Sequence, residues 1–223
     1  MASKFRLDTE TGILIWVKPE RRLIGFWRSI RTTISFLKAA RFGPASKAVA
    51  EANGCVSHML EVLRAARKAK IRVFYAMHRR YRPGDYETWE YIAPVQKAAW
   101  ANKTFEYGTW GGETPPEFKP RPGEIVATEH WCSSGFANTD LDLQLRKHGV
   151  EQLIVMGLIA HTCLESTVRF AAELGYGVTV IRDATADYSD EQMHAALDID
   201  IPRYASVILT ANEIVDLLPC WAA

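Results

Sequence analysis

Cysteine is scarce and scattered in this chain. Four occur in 223 residues, Cys55, Cys132, Cys163 and Cys220, with no Cys-x-x-Cys pair among them, so neither a disulfide framework nor a structural zinc site is expected. An excess of one charge is also lacking. The 27 Lys and Arg stand against 26 Asp and Glu, a formal net charge of +1, which gives no overall pull towards nucleic acid or an anionic membrane. The expected partner is therefore a small-molecule substrate, with no nucleic acid and no membrane. There is no apolar run of about 18 residues, and the opening MASKFRLDTETG does not read as a secretory signal, so a soluble, cytoplasmic protein is expected. Repeats and low-complexity tracts are absent.

What is present is an alternation. Short runs rich in Val and Ile occur at 12–17 (GILIWV), 71–77 (IRVFYAM), 123–127 (GEIVA), 152–158 (QLIVMGL), 177–184 (GVTVIRDA) and 206–210 (SVILT), and each reads as a strand. Between the first two, Ala48, Val49, Val56, Met59, Leu60 and Leu63 recur at helical spacing, which predicts a helix over 44–69. Further helices are predicted from Asn138 or Thr139 to Gly149, from 161 to Gly175, and over 189–198. Thr210 and Glu213 form a capping-box pattern for a last one. Apolar strands separated by helices indicate a parallel sheet covered on both faces, in a single domain spanning 1–223. Ligands of such sheets bind beyond the carboxyl ends of the strands.

The stretch MGLIAHTCLEST, residues 156–167, places Cys163 where a strand gives way to a helix. Unpaired N–H groups and the helix dipole favour negative charge there, a setting that can make a thiolate. Iodoacetamide is accordingly expected to modify Cys163 ahead of the other cysteines.

VMGLIAHTCLESTVRFAAELGYGVTVIRDATA, with the upstream HWCSSGFANTDLDLQLRKHGV, resembles the isochorismatase-like cysteine hydrolase superfamily, which includes nicotinamidases, N-carbamoylsarcosine amidases and ureidoacrylate-type amidohydrolases. The likeness is close over the last half of the chain and loose over the first strand and helix. It implies a three-layer, Rossmann-like α/β fold with a six-stranded parallel sheet, a nucleophile at Cys163 and a non-proline cis peptide at Leu158–Ile159. It also implies an oxyanion hole from the backbone N–H groups of Ile159 and Cys163, a disposition that suits a tetrahedral intermediate. Metal-binding nicotinamidases carry an aspartate with several histidines where this chain reads AMHRRYRPGDYE, so no metal is expected, nor any other cofactor.

Two positions depart from the superfamily pattern. Its members carry an aspartate at the end of the first strand. ILIWVKPERR, aligned on Pro19, puts Lys18 there, and no carboxylate fits when the alignment is shifted to Val17 or Trp16. Its members also carry a lysine at the end of the third strand, where IVATEHW has Thr128, followed by Glu129 and His130. Losing the aspartate removes a general base, not the nucleophile. Lys18 could lower the thiol pKa and Glu129 or His130 could accept its proton, a relocated triad of Cys163, Lys18 and Glu129. His161 is a weaker base candidate, because neighbours within one helical turn do not face each other.

Residues 78–120 form a long, aromatic segment of lid-like character, a length of connection that usually carries function. His78, Arg79 and Trp110 from this segment, with Thr128, His130 and Phe136, are the expected substrate-binding residues, Arg being suited to carboxylates. Residues 18–42 hold seven Lys or Arg against the single Glu20, with Phe26, Trp27, Ile30, Ile34 and Leu37 near helical spacing. This basic aromatic insertion reads as a surface helix covering its own domain or a homo-oligomer interface. Two functions remain: a divergent cysteine hydrolase for a C–N or related bond of a small aromatic or carboxylated substrate, or a catalytically impaired relative that binds a small molecule or partner.

Overall fold

Runs of β-branched and aromatic residues alternate with helices along the chain, and the runs pair side by side in one direction. The computed structural model describes residues 32–37 and 44–221. Its strands are β1 (Thr32–Leu37), β2 (Arg72–Ala76), β3 (Ile125–Val126), β4 (Gln152–Leu158), β5 (Gly177–Ala186) and β6 (Val207–Leu209). They form one parallel sheet in the order β3-β2-β1-β4-β5-β6.

The described helices are α1 (Pro44–Ala52), α2 (Cys55–Lys68), α3 (Pro94–Ala101), α4 (Leu141–Lys147), α5 (Glu165–Glu173), α6 (Asp190–His194) and α7 (Ala211–Trp221). Side chains alternate across β4, as the pleat requires. Ile154 and Met156 join Met59, Val62 and Leu63 of α2 and Ile214 and Leu218 of α7 in one core. Leu153 and Val155 join Leu141 and Leu145 of α4 and Val168 and Ala171 of α5 in the other. The sheet is thus sandwiched between two helical layers, and β2, β4 and β5 are buried on both faces. No helix among the described residues is long and apolar enough to cross a membrane.

Two sequence expectations change. The run at 12–17 lies outside the described residues, and the place between β2 and β4 is taken by Thr32–Leu37, within the segment expected to be a basic surface helix. Thr32, Thr33, Ile34 and Phe36 favour strand, but the basic residues around them mimic an amphipathic helix. The helix expected over 44–69 is broken after Ala52. Gly54 adopts φ 67° and Asn53 accepts the Cys55 N–H at 2.9 Å, so α2 starts afresh. The Thr210–Glu213 capping box forms reciprocally: Thr210 N–H donates to Glu213 at 2.8 Å and Glu213 N–H to Thr210 Oγ1 at 3.3 Å.

The segment over 78–120 is folded around Tyr86. That ring is 1% exposed and meets Trp89 at 5.2 Å, Trp131 at 5.8 Å and Trp100 at 6.3 Å. Gly112 closes the turn that starts at Thr109 so tightly that an added Cβ would stand 2.0 Å from the Glu106 carbonyl oxygen. Gly112→Ala should therefore cost about 1–3 kcal/mol, as overpacking does, read as a lower Tm with faster proteolytic nicking within 78–120.

Candidate active site around Cys163

The end of β4 and the start of α5 make a single unit. Leu158–Ile159 is a cis peptide, as the resemblance implies. The chain then passes through a π-helical turn, Ala160–Leu164, into α5. Cys163 lies half-buried in this turn. The Thr162 hydroxyl donates towards its sulfur at 3.7 Å. Thr167 Oγ1 donates to the Cys163 carbonyl at 2.6 Å and accepts the Gly135 N–H at 2.9 Å, which docks the loop after β3 onto the helix that follows Cys163.

β5 supplies the other wall. Its register against β4 jumps, with Val155 opposite Val180 but Gly157 opposite Thr185, and the Thr185 hydroxyl donates to the Gly157 carbonyl. Ala186 is thereby set beside Leu158, and Asp187 lies at the head of the Cys163 turn. The Asp187 carboxylate is fully buried. It accepts the His161 main-chain N–H at 2.7 Å and the Tyr188 N–H at 2.7 Å, and both its oxygens lie 2.7 Å from His161 Nδ1.

These surroundings correct the expectation of a ready thiolate. Burial pushes the Cys163 thiol above its ordinary value, the Thr162 and Ile159 hydrogen bonds oppose this, and the charges of Cys132 and Asp187 add to the rise. The positive end of the turn is already occupied by Asp187.

The other expected site residues scatter. Lys18 lies outside the described residues. Glu129 is held by Arg80, at 2.6 Å from Nε and 3.2 Å from the main-chain N, and by Arg79 at 3.6 Å; no hydrogen bond joins it to Cys163. Arg79 is taken by Asp85, at 2.6 and 3.1 Å, and lies 4.7 Å over the Trp131 ring, so it is not free for a substrate carboxylate. Thr128 staples the end of β3 to the start of α4, donating from its main-chain N to Asp140 at 2.6 Å and accepting the Asp140 N–H at 3.0 Å. Phe136 packs in the core against Tyr176 at 5.8 Å and is 6% exposed, because the Gly135–Thr167 bond draws its loop inwards; it is not a pocket wall. Trp110 stands exposed. His78 and His130 do meet, edge to face at 5.1 Å, at an isolated parallel bridge beyond β2 and β3. His130 is buried with Nδ1 3.0 Å from the Cys132 carbonyl; burial, then His78, lowers its pKa to about 3, so it is neutral. Among the described residues no group of three or more His, Cys, Asp or Glu is placed to hold a metal ion.

The Asp187–His161 contact is what sequence reasoning missed. Its only signal was an acid directly after the β5 run, and the register shift that brings it under His161 is not written in that run.

An α/β sheet with a cysteine at a cis-peptide strand-to-helix turn defines the class. The chain belongs to the isochorismatase family: the isochorismatase domain matches residues 33–212. Ureidoacrylate amidohydrolase RutB of Rhizobium rhizogenes is 26% identical over 175 residues, covering 74% of this chain and 71% of that protein. A cysteine hydrolase from Pseudomonas syringae superposes with a TM-score of 0.70 at 22% identity, over 84% of this chain and 92% of the other. N-carbamoylsarcosine amidase from Thermoplasma acidophilum has a TM-score of 0.62 at 20% identity, over 82% and 98%. These two structures are likenesses of fold.

Two outcomes follow from the geometry. Of the three described cysteines, exposed Cys132 should be alkylated first by iodoacetamide at pH 7, with Cys163 catching up only at a pH above the ordinary thiol range of about 8.5; peptide mass mapping against pH reads this directly. His130 gives the second. Between about 6.5 and 3 the unfolded chain binds a proton there that the folded chain refuses, so stability falls as pH drops through that window. His130→Gln should flatten that part of the denaturation-against-pH curve.

Proposed function

We propose that this chain hydrolyses a C–N bond of a small molecule through Cys163. The observation that carries the reading is the turn itself, which sets Cys163 at the passage from the end of β4 into α5 with the Thr162 hydroxyl donating towards its sulfur. On this reading the Ile159 and Cys163 N–H groups hold the oxyanion while sulfur adds to the carbonyl carbon. Kinship to a ureidoacrylate amidohydrolase supports an amide or ureide substrate. With Arg79 and Arg80 already paired, a substrate carboxylate would have to displace Asp85 or Glu129, which favours an uncharged or aromatic molecule. Of the relocated triad, Glu129 then serves to hold Arg80. A second reading, binding without turnover, is favoured by one observation, the burial that keeps the thiol protonated.

A panel of aromatic amides, N-carbamoyl amino acids and ureidoacrylate, assayed for ammonia or amine release, separates the two. Turnover that Cys163→Ala reduces on the order of 10⁴-fold or more is expected. Thermal stabilisation by a panel member, with no product from any, would support binding alone.

A further inference from the structure

We propose that His161, positioned by the buried carboxylate of Asp187, handles the proton for Cys163 in place of the acid that the superfamily carries after its first strand. The inference rests on the hydrolase reading above. Residues 38–43, which follow β1 in the sequence, read KAARFG and contain no Asp or Glu. Glu129 is committed to Arg80 and Arg79. Among the described residues, Asp187 is the carboxylate whose charge acts on the sulfur.

The geometry of the pair is that of a base and its orienter. A carboxylate can only accept, so with both oxygens 2.7 Å from Nδ1 the tautomer that this contact selects for a neutral ring has its proton on Nδ1 and leaves Nε2 as the acceptor. The same carboxylate holds the His161 main-chain N–H, so backbone and ring are clamped together. Tyr188 packs edge-on at 6.0 Å from the His161 ring, and its phenol feels the charge of Cys163, so one wall borders both imidazole and thiol. Among the described residues, the titratable groups facing this turn are Asp187 and Tyr188 from the segment after β5, Cys132 from the loop after β3, and Cys163 itself. No hydrogen bond joins His161 to the sulfur, and catalytic hydrogen bonds commonly tighten only in the complex with substrate.

The proton balance closes. The Cys163 proton passes to Nε2, directly or through one water, as the S–C bond forms and the carbonyl π pair moves to oxygen. The proton then goes to the leaving nitrogen as the C–N bond breaks. In the second half a water gives its proton to Nε2 and adds to the thioester; the C–S bond breaks and sulfur recovers the proton.

p-Nitrophenyl acetate tests the base alone, because p-nitrophenolate departs without needing a proton. His161→Gln keeps the main-chain bonds to Asp187. It should slow the acetylation burst at pH 7 by about 10²-fold and converge on wild type above the thiol pKa, with Asp187→Asn moving the same way. Equal slowing at every pH would mean structural damage and overturn the assignment, as would an unchanged burst at pH 7. Wild-type protein that is not acetylated on Cys163, or an undiminished burst in Cys163→Ala, would remove the nucleophile and the hydrolase reading with it.

Discussion

A single buried carboxylate organises the end of the sheet where Cys163 sits. Taking Asp187 out of water is costly unless its oxygens are satisfied. Here they receive two main-chain N–H groups and an imidazole N–H, all at 2.7 Å, at the positive end of a helical turn. The consequence for Cys163 is direct. Burial, with the charges of Cys132 and Asp187 added to it, keeps the neighbouring thiol protonated until something removes the proton. A cysteine at a helix start is therefore not automatically a thiolate; burial can outweigh the helix end.

Electrostatics of a different kind fix the segment over 78–120. Arg79 and Arg80 share Glu129, and Asp85 and Glu113 complete the network. Trp131 lies under one guanidinium and Tyr107 under the other, each at 4.7 Å. Since these charges are only partly exposed, the pairs are screened less than surface ion pairs and hold the aromatic cluster around Tyr86 in place. The arginines that look in the sequence like substrate clamps act instead as ties between the segment and the loop after β3.

The alternation of strands and helices was legible because β2, β4 and β5 are buried on both faces and their apolar runs leave little choice of state. Cys163 and its cis turn were legible because the pattern there is local. β1 was not: TTISFL is half polar, whereas GILIWV upstream is wholly apolar, and what makes Thr32–Leu37 the strand is its pairing with Arg72–Ala76 and Gln152–Met156, which no window reveals. The role of Phe136 was misjudged for a related reason. Its place follows from one hydrogen bond, Gly135 N–H to Thr167, between residues 32 apart. The Asp187–His161 pair depends on β5 gaining residues against β4 between Val180 and Thr185, a feature of pairing and not of composition.

The strand order gives the proposed proton route a geometric basis. β4 leads into the Cys163 turn, and its two neighbours in the sheet are β1 and β5. An acid at the carboxyl end of either lies one strand spacing from β4, about 4.8 Å in a parallel sheet. Moving the carboxylate from the end of β1 to the end of β5 therefore keeps its distance from β4 while changing the side it comes from. From the β1 side a carboxylate can take the thiol proton itself. From the β5 side Asp187 is buried under the turn and capped by N–H groups, so it needs a relay, and His161 is the residue whose ring it holds. The imidazole is thus a consequence of the side of β4 on which the acid stands.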